Sequence, residues 1–205
     1  ESGGHADTAA GDGRLTFAKP ERENCDGYAY DPENPSQHII DMSENEIEVP
    51  EDYTREELRQ DLLCYTSPVL KENLVLTGDM TAELYISSDA PDTDFVVRVT
   101  DVDENGRSIK LADGLLSARY RNGFARSEFL QEGEIVCLKI RTTKLSNCFR
   151  KGHRIRVTVT SSAKNFIFPN SNTREGFASA RTVVAHNRVY HGGLHASRLT
   201  VRVEP

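Results

Sequence analysis

The sequence contains no tryptophan and two methionines, and its four cysteines never fall into the C-x-x-C spacing on which zinc ribbons and thioredoxin-like sites depend. Cys25, Cys64, Cys137 and Cys148 therefore read as reduced thiols, which favours a reducing, cytoplasmic setting. No run approaches the roughly 18 apolar residues that cross a bilayer, and the first residues lack the charged-then-apolar order of a secretory signal, so no membrane partner is expected. Positive charge is in deficit as well. With 25 Lys and Arg against 32 Asp and Glu, the formal net charge of −7 gives no electrostatic footprint for nucleic acid. Also missing is any G-x-S-x-G turn, the small-residue elbow that displays the nucleophile of an α/β-hydrolase. Ser108 after Gly106 and Ser179 after Gly176 lack the second glycine and the helix that would follow. By itself the chain is expected to be catalytically silent.

What is present is a chain of 205 residues, long enough to bury about 70% of its unfolded surface without a staple. Residues 1–12 are Gly, Ala, Ser and Asp with little to bury, and read as a linker. Residues 13–74 read as an extended arm, broken by Asp31-Pro32 and Asn34-Pro35. Within it, Thr54 and Glu57 fit a capping box ahead of Leu58 and Leu62, which predicts a short helix over Arg55 to Gln60. From residue 75 onward the texture is short alternating runs bounded by turn residues. Met80, Ala82, Leu84 and Ile86 alternate with polar partners, Phe95 to Val102 ends at Asn105-Gly106, and further runs cover Ser108–Ala112, Glu134–Thr142, His153–Ser161, Thr182–Tyr190 and Leu199–Val203. Seven or eight strands without intervening helices predict an all-β protein, two antiparallel sheets packed as a jelly-roll-like sandwich over 75–205. Arm and sandwich together, 13–205, form one domain in this reading.

Several side-chain clusters fit both a ligand-binding role and a plain structural one. His186, His191 and His195 have the short spacing of zinc ligands, but Gly192-Gly193 breaks the register that an HxxxH pair needs, so no metal is assigned. Asp89, Asp92 and Asp94, with Asp101 and Asp103 beyond, offer oxygens of the kind Ca²⁺ takes. The expectation is instead a structural loop in which these carboxylates bond backbone amides or pair with Arg119 and Arg121. Tyr120, Phe166 and Phe168 fit either sugar stacking or a place in the core and rim, and core is expected in a chain with no Trp. No cofactor is called for.

Several stretches, read in order, resemble the C-terminal domain of the X-Pro dipeptidyl-peptidase, cocaine-esterase and glutaryl-cephalosporin-acylase group of serine hydrolases. They are Tyr30-Asp31-Pro32, Leu63-Cys64-Tyr65-Thr66-Ser67, the run Ser87-Ser88-Asp89-Ala90-Pro91-Asp92-Thr93-Asp94-Phe95, Asp113-Gly114, Arg119-Tyr120-Arg121, Gly152-His153-Arg154-Ile155, Asn172-Thr173 and Tyr190-His191. The resemblance implies a galactose-binding-like jelly roll that follows an α/β-hydrolase domain of the same polypeptide, where the Ser, His and Asp of the triad reside. It implies that the parent cleaves a small peptide, ester or amide substrate through an acyl-enzyme, with this domain supporting the cleft. By that analogy His38, Ile39, Ile40 and Met42 line the substrate side, and Asn170, Ser171, Asn172 and Thr173 meet the catalytic domain. The family's Gly-Gly after the Asp-Pro arm is here Ser36-Gln37-His38. Two other readings compete: a free-standing carbohydrate-binding sandwich, and a module used only for solubility or oligomer contacts.

Overall fold

A computed structural model of the chain describes residues 1–39 and 50–204. Its strands, in chain order, are β1 (Asn24–Tyr30), β2 (Leu62–Thr66), β3 (Leu74–Gly78), β4 (Thr81–Ser88), β5 (Asp94–Val102), β6 (Ser108–Ser117), β7 (Val136–Arg141), β8 (Leu145–Phe149), β9 (Arg154–Thr160), β10 (Ala185–His191), β11 (Arg198–Thr200) and β12 (Val203–Glu204). They form three antiparallel sheets. In the first, β1 pairs with β10 and β10 with β4, while β11 and β7 also pair with β4. The second runs β2-β9-β5-β6, and a small third runs β12-β3-β8. Alternation explains the layering: Ala82, Leu84 and Ile86 of β4 are buried while Thr81, Glu83 and Tyr85 between them are half-buried on the other face. The apolar rows of the two larger sheets meet in one core, with Tyr30, Leu84, Ile86, Leu138 and Val189 from the first against Leu63, Phe95, Val97, Val99 and Val159 from the second. This is an all-β sandwich, as the alternating pattern predicts.

The hairpin joining β5 to β6 turns where Asn105-Gly106 predicts it, with Gly106 at φ 82 and its N–H bonded to the Asp103 carbonyl at 3.0 Å. The last apolar run does not make one strand. Leu199 pairs with Ala82 in the first sheet and Val203 with Leu76 in the third, because the strands they join, β4 and β3, belong to different sheets. The helix expected over Arg55 to Gln60 is a single 3₁₀ turn, Glu56–Leu58, with no side-chain cap. Competing bonds defeat the capping box: the Thr54 hydroxyl donates to Asp52 Oδ1 and accepts from the Ser108 N–H at 2.9 Å, and Glu57 is buried in ion pairing instead of reaching back to the helix start.

The stretch read as an arm supplies β1 to the first sheet and β2 to the second. Residues 1–12, expected as a linker, lie beside β2. The Cys64 N–H donates to the Ala6 carbonyl at 2.7 Å, Thr66 N–H to Gly13 at 3.1 Å, and Ala6 is fully buried. Gly13 permits the approach, since a Cβ there would overlap the Cys64 carbonyl.

Candidate functional site

β5 is buried on both faces, which a two-layer sandwich alone does not explain. Val97 and Val99 enter the core, while Arg98 and Thr100 point to the opposite face, where Tyr53 covers Arg98 and Glu57 meets Thr100. The covered face mixes polar groups with the buried side chains of Leu62, Cys64, Val96 and Val102. Glu57, with no exposure, accepts from Ser108 Oγ at 2.8 Å and Thr100 Oγ1 at 3.3 Å and pairs with Arg156. Ser36 bonds Ser162 and Thr160. Lys110 Nζ lies 2.7 Å from Glu51, 2.8 Å from His38 Nε2 and 3.2 Å from Asp113. Burial works against the Asp113 carboxylate, yet His38 and Lys110 beside it hold its pKa below the ordinary value. Arg98 stacks over the Tyr53 ring at 3.7 Å, and its Nε and Nη2 find no acceptor among the described residues.

This places two of the four substrate-side candidates. His38 is 4% exposed, stacked on Phe166 with ring centroids 5.0 Å apart, so its side chain is turned into the protein. Ile39 is exposed, its N–H held by Tyr53 Oη at 3.1 Å. Ile40 and Met42 lie outside the described residues.

At one end of the sandwich the acidic loop and residues 170–176 form a second network. Arg119 Nε pairs with fully buried Asp92 at 2.7 Å, and its two terminal nitrogens donate to the carbonyls of Arg174 at 2.9 Å and Thr173 at 3.0 Å. Asn170 Nδ2 bridges Asp92 at 2.7 Å and Asp94 at 2.9 Å. Burial raises the Asp94 pKa, against hydrogen bonds from Ser117 and Asn170. Arg121 makes no acid pair among the described residues. It donates to the carbonyls of Ala118 and Glu128 and so closes its own turn. Asp89 accepts from His186, at 2.7 Å from Nδ1. Asn170, Ser171 and Asn172 are all buried, and Asn172 stands at φ 62, a left-handed position that asparagine tolerates. Phe166, expected in the core, is 43% exposed, and Phe168, expected there too, is 80% exposed. Phe168 precedes Pro169 on a loop whose polar side chains claim the interior, which leaves the ring outside.

Sequence reasoning missed a third cluster. Asp26, 1% exposed, accepts from Tyr65 Oη at 2.8 Å and from Ser2 Oγ, and lies 3.1 Å from His191 Nε2. Burial pushes its pKa up, but the bonds from His191, Ser2 and Tyr65 outweigh it and hold the carboxyl below its ordinary value. Serine, histidine and aspartate thus meet, but in the wrong order for acyl transfer. In a catalytic triad the acid holds one ring nitrogen and the serine faces the other. Here both face Nε2, Asp26 takes the serine directly, and Nδ1 has no partner among the described residues. The other two late histidines go elsewhere, His195 to Glu23 and His186 to Asp89, and no metal-ligand group of three occurs among the described residues.

The geometry defines a β-sandwich module whose polar clusters brace its own loops. Comparison with known proteins narrows the class. Residues 3–200 match the family model described as the X-Pro dipeptidyl-peptidase C-terminal non-catalytic domain, and the chain belongs to that family. It is 35% identical to the cocaine esterase of a Rhodococcus species over 207 residues, which is 98% of this chain and 36% of that protein. A putative serine esterase of Mycobacterium bovis is 33% identical over 161 residues, 69% of this chain and 24% of that one. Two solved structures share the fold. An aminopeptidase from a marine-sediment Thaumarchaeota archaeon superposes with TM-score 0.87 at 24% identity, over 98% of this chain and 36% of that one. An α-amino acid ester hydrolase gives 0.83 at 22%, over 99% and 36%. The chain therefore spans about a quarter to a third of the length of these relatives, and its place among them is that of a non-catalytic accessory domain.

Proposed function

We propose that this domain walls and steadies the cleft of a serine hydrolase whose catalytic α/β domain belongs to the same polypeptide. The observation that carries the reading is the match to cocaine esterase, which runs through nearly all of this chain and through little more than a third of that enzyme. In the proposal the parent acts on a small peptide, ester or amide through an acyl-enzyme, with its serine, histidine and aspartate outside this chain. The finer architecture is a galactose-binding-like jelly roll, with arm and sandwich forming one unit. The polar layer supports the single unit, since it fixes the arm to β5, β6 and β9. Of the substrate-side residues, Ile39 is exposed and His38 anchors the arm beside it; Ile40 and Met42 are assigned to the substrate side by the family resemblance alone. Loop 170–173 faces the catalytic domain. No helix among the described residues is long and apolar enough to cross a membrane, and four unpaired thiols favour the cytoplasm.

The test uses the chain, the remainder of its polypeptide and their mixture, assayed on X-Pro anilides and short acyl esters. The chain alone is expected to turn over neither, and to bind the remainder and restore or sharpen its activity. Turnover by the chain alone at enzyme-like rates ends the proposal, as does a remainder whose activity and stability are indifferent to the chain.

A further inference from the structure

If loop 170–173 faces the catalytic domain, its named residues are poor candidates for the contact itself. Asn170, Ser171 and Asn172 are 6%, 3% and 0% exposed, and their side chains are spent on Asp92, Asp94, the Gly176 carbonyl and the Val183 carbonyl. What the loop shows to solvent stands on either side of them. Phe168 is 80% exposed and Phe177 is 76% exposed, and the two rings stack at 6.0 Å and 25°. Val183 and Val184 follow, both partly exposed. Val183 and Val184 line an open depression of about 500 Å³, together with Pro91 and the charged Asp89, Arg174, Glu175 and Arg181.

A single exposed apolar residue is normal on any soluble protein, whereas apolar residues gathered beside a hollow mark a contact surface. The bracing sharpens the point. Arg119, itself locked to buried Asp92, holds the carbonyls of both Thr173 and Arg174, and Asn172 is kept at a positive φ to make the bend. Such a network fixes the backbone between the two phenylalanines, so their ordering cost is met before any partner arrives. Large aromatic rings on a braced loop are the side chains that dominate interface hot spots.

We infer that the stacked rings of Phe168 and Phe177 are the apolar anchor by which this domain docks on the catalytic part of its own polypeptide. The inference rests on the reading that loop 170–173 faces that part. The occupant follows from length: in the matched proteins the remaining two-thirds of the chain is tethered to this domain, and a tether supplies an effective concentration that a free partner rarely reaches. Arg119 and Asp92 are the positioning residues of the anchor.

The experiment uses the full-length polypeptide with a photo-crosslinking residue at Thr173, together with hydroxyl-radical footprinting of the unmodified protein. The expected result is a cross-link from position 173 into the catalytic part, with Phe168 and Phe177 labelled about tenfold more slowly in the native protein than in urea, the mark of a desolvated anchor. A cross-link with both phenylalanines labelled as fast as in urea overturns the anchor and leaves the orientation standing. Absence of the cross-link removes the orientation and the anchor together. Protection that vanishes on dilution assigns the rings to a second copy of the protein and likewise overturns the inference.

Discussion

Replacing Glu57 with alanine removes the acceptor on which the covered face of the second sheet converges. The carboxylate is fully buried, and Arg156, whose side chain is 12% exposed, pairs with it. Truncation leaves that guanidinium largely out of water without a counter-charge, a loss of about 3–5 kcal/mol for a buried pair broken on one side. The hydroxyls of Ser108 and Thr100 add little, because they bond each other at 2.8 Å and keep a partner. A domain of this size is stable by roughly 5–15 kcal/mol, so the alanine variant should unfold at a far lower urea concentration, read by far-ultraviolet circular dichroism with an unchanged slope. Glu57→Gln keeps an acceptor and loses the charge, for a cost of about 2 kcal/mol. The double variant Glu57→Leu, Arg156→Met removes both charges and should recover to within about 1 kcal/mol of the parent. An alanine variant within about 1 kcal/mol of the parent, or a double variant no better than the single, refutes the assignment of this pair as the seat of the arm.

Asp26 gives a signed pH dependence. Its folded-state pKa lies below the unfolded value of about 3.9, so its contribution is present above that pH and fades as pH falls through the folded value. The stability gap between the parent and Asp26→Asn should be open at pH 7 and narrow under acid, and a gap flat with pH contradicts the cluster. The cysteines should separate by reactivity. Burial, joined by the Glu57 charge, raises the Cys64 thiol far above its ordinary value, whereas Cys148 is exposed. An aromatic disulfide reagent should titrate Cys148 in the native protein and reach Cys64 only at the rate of unfolding; prompt modification of Cys64 would show the arm to be open.

The sandwich was legible because its strands obey a period of two: Ala82, Leu84 and Ile86 needed no tertiary knowledge to be placed inward. What the pattern hid was the second layer on β5. Arg98 and Thr100, read by alternation, belong on a wet face, and only the return of residues 36–39 and 50–60 over that face buries them. Capping chemistry failed at Thr54 for the same reason, since Asp52 and Ser108 reach its hydroxyl from elements distant in sequence or unrelated to a helix. The acidic loop was anticipated in kind, with Arg119 on Asp92, while the part played by Asn170 was not, because an amide bridging two carboxylates leaves no local signature. Likewise Ser2, Asp26 and His191 are far apart in the chain, and nothing in their neighbours announces that they meet.

The first dozen residues lie against β2, whose other side is paired to β9. An unpaired outer strand is a template for association with another molecule's backbone, and proteins shield such strands to stay dispersed. By occupying the Cys64 and Thr66 amides, residues 6–13 act as that shield. A shortened protein that starts at residue 14 would expose a hydrogen-bonding rim rich in Leu, Cys and Tyr, and would be prone to fibre-like self-association even with its sandwich intact.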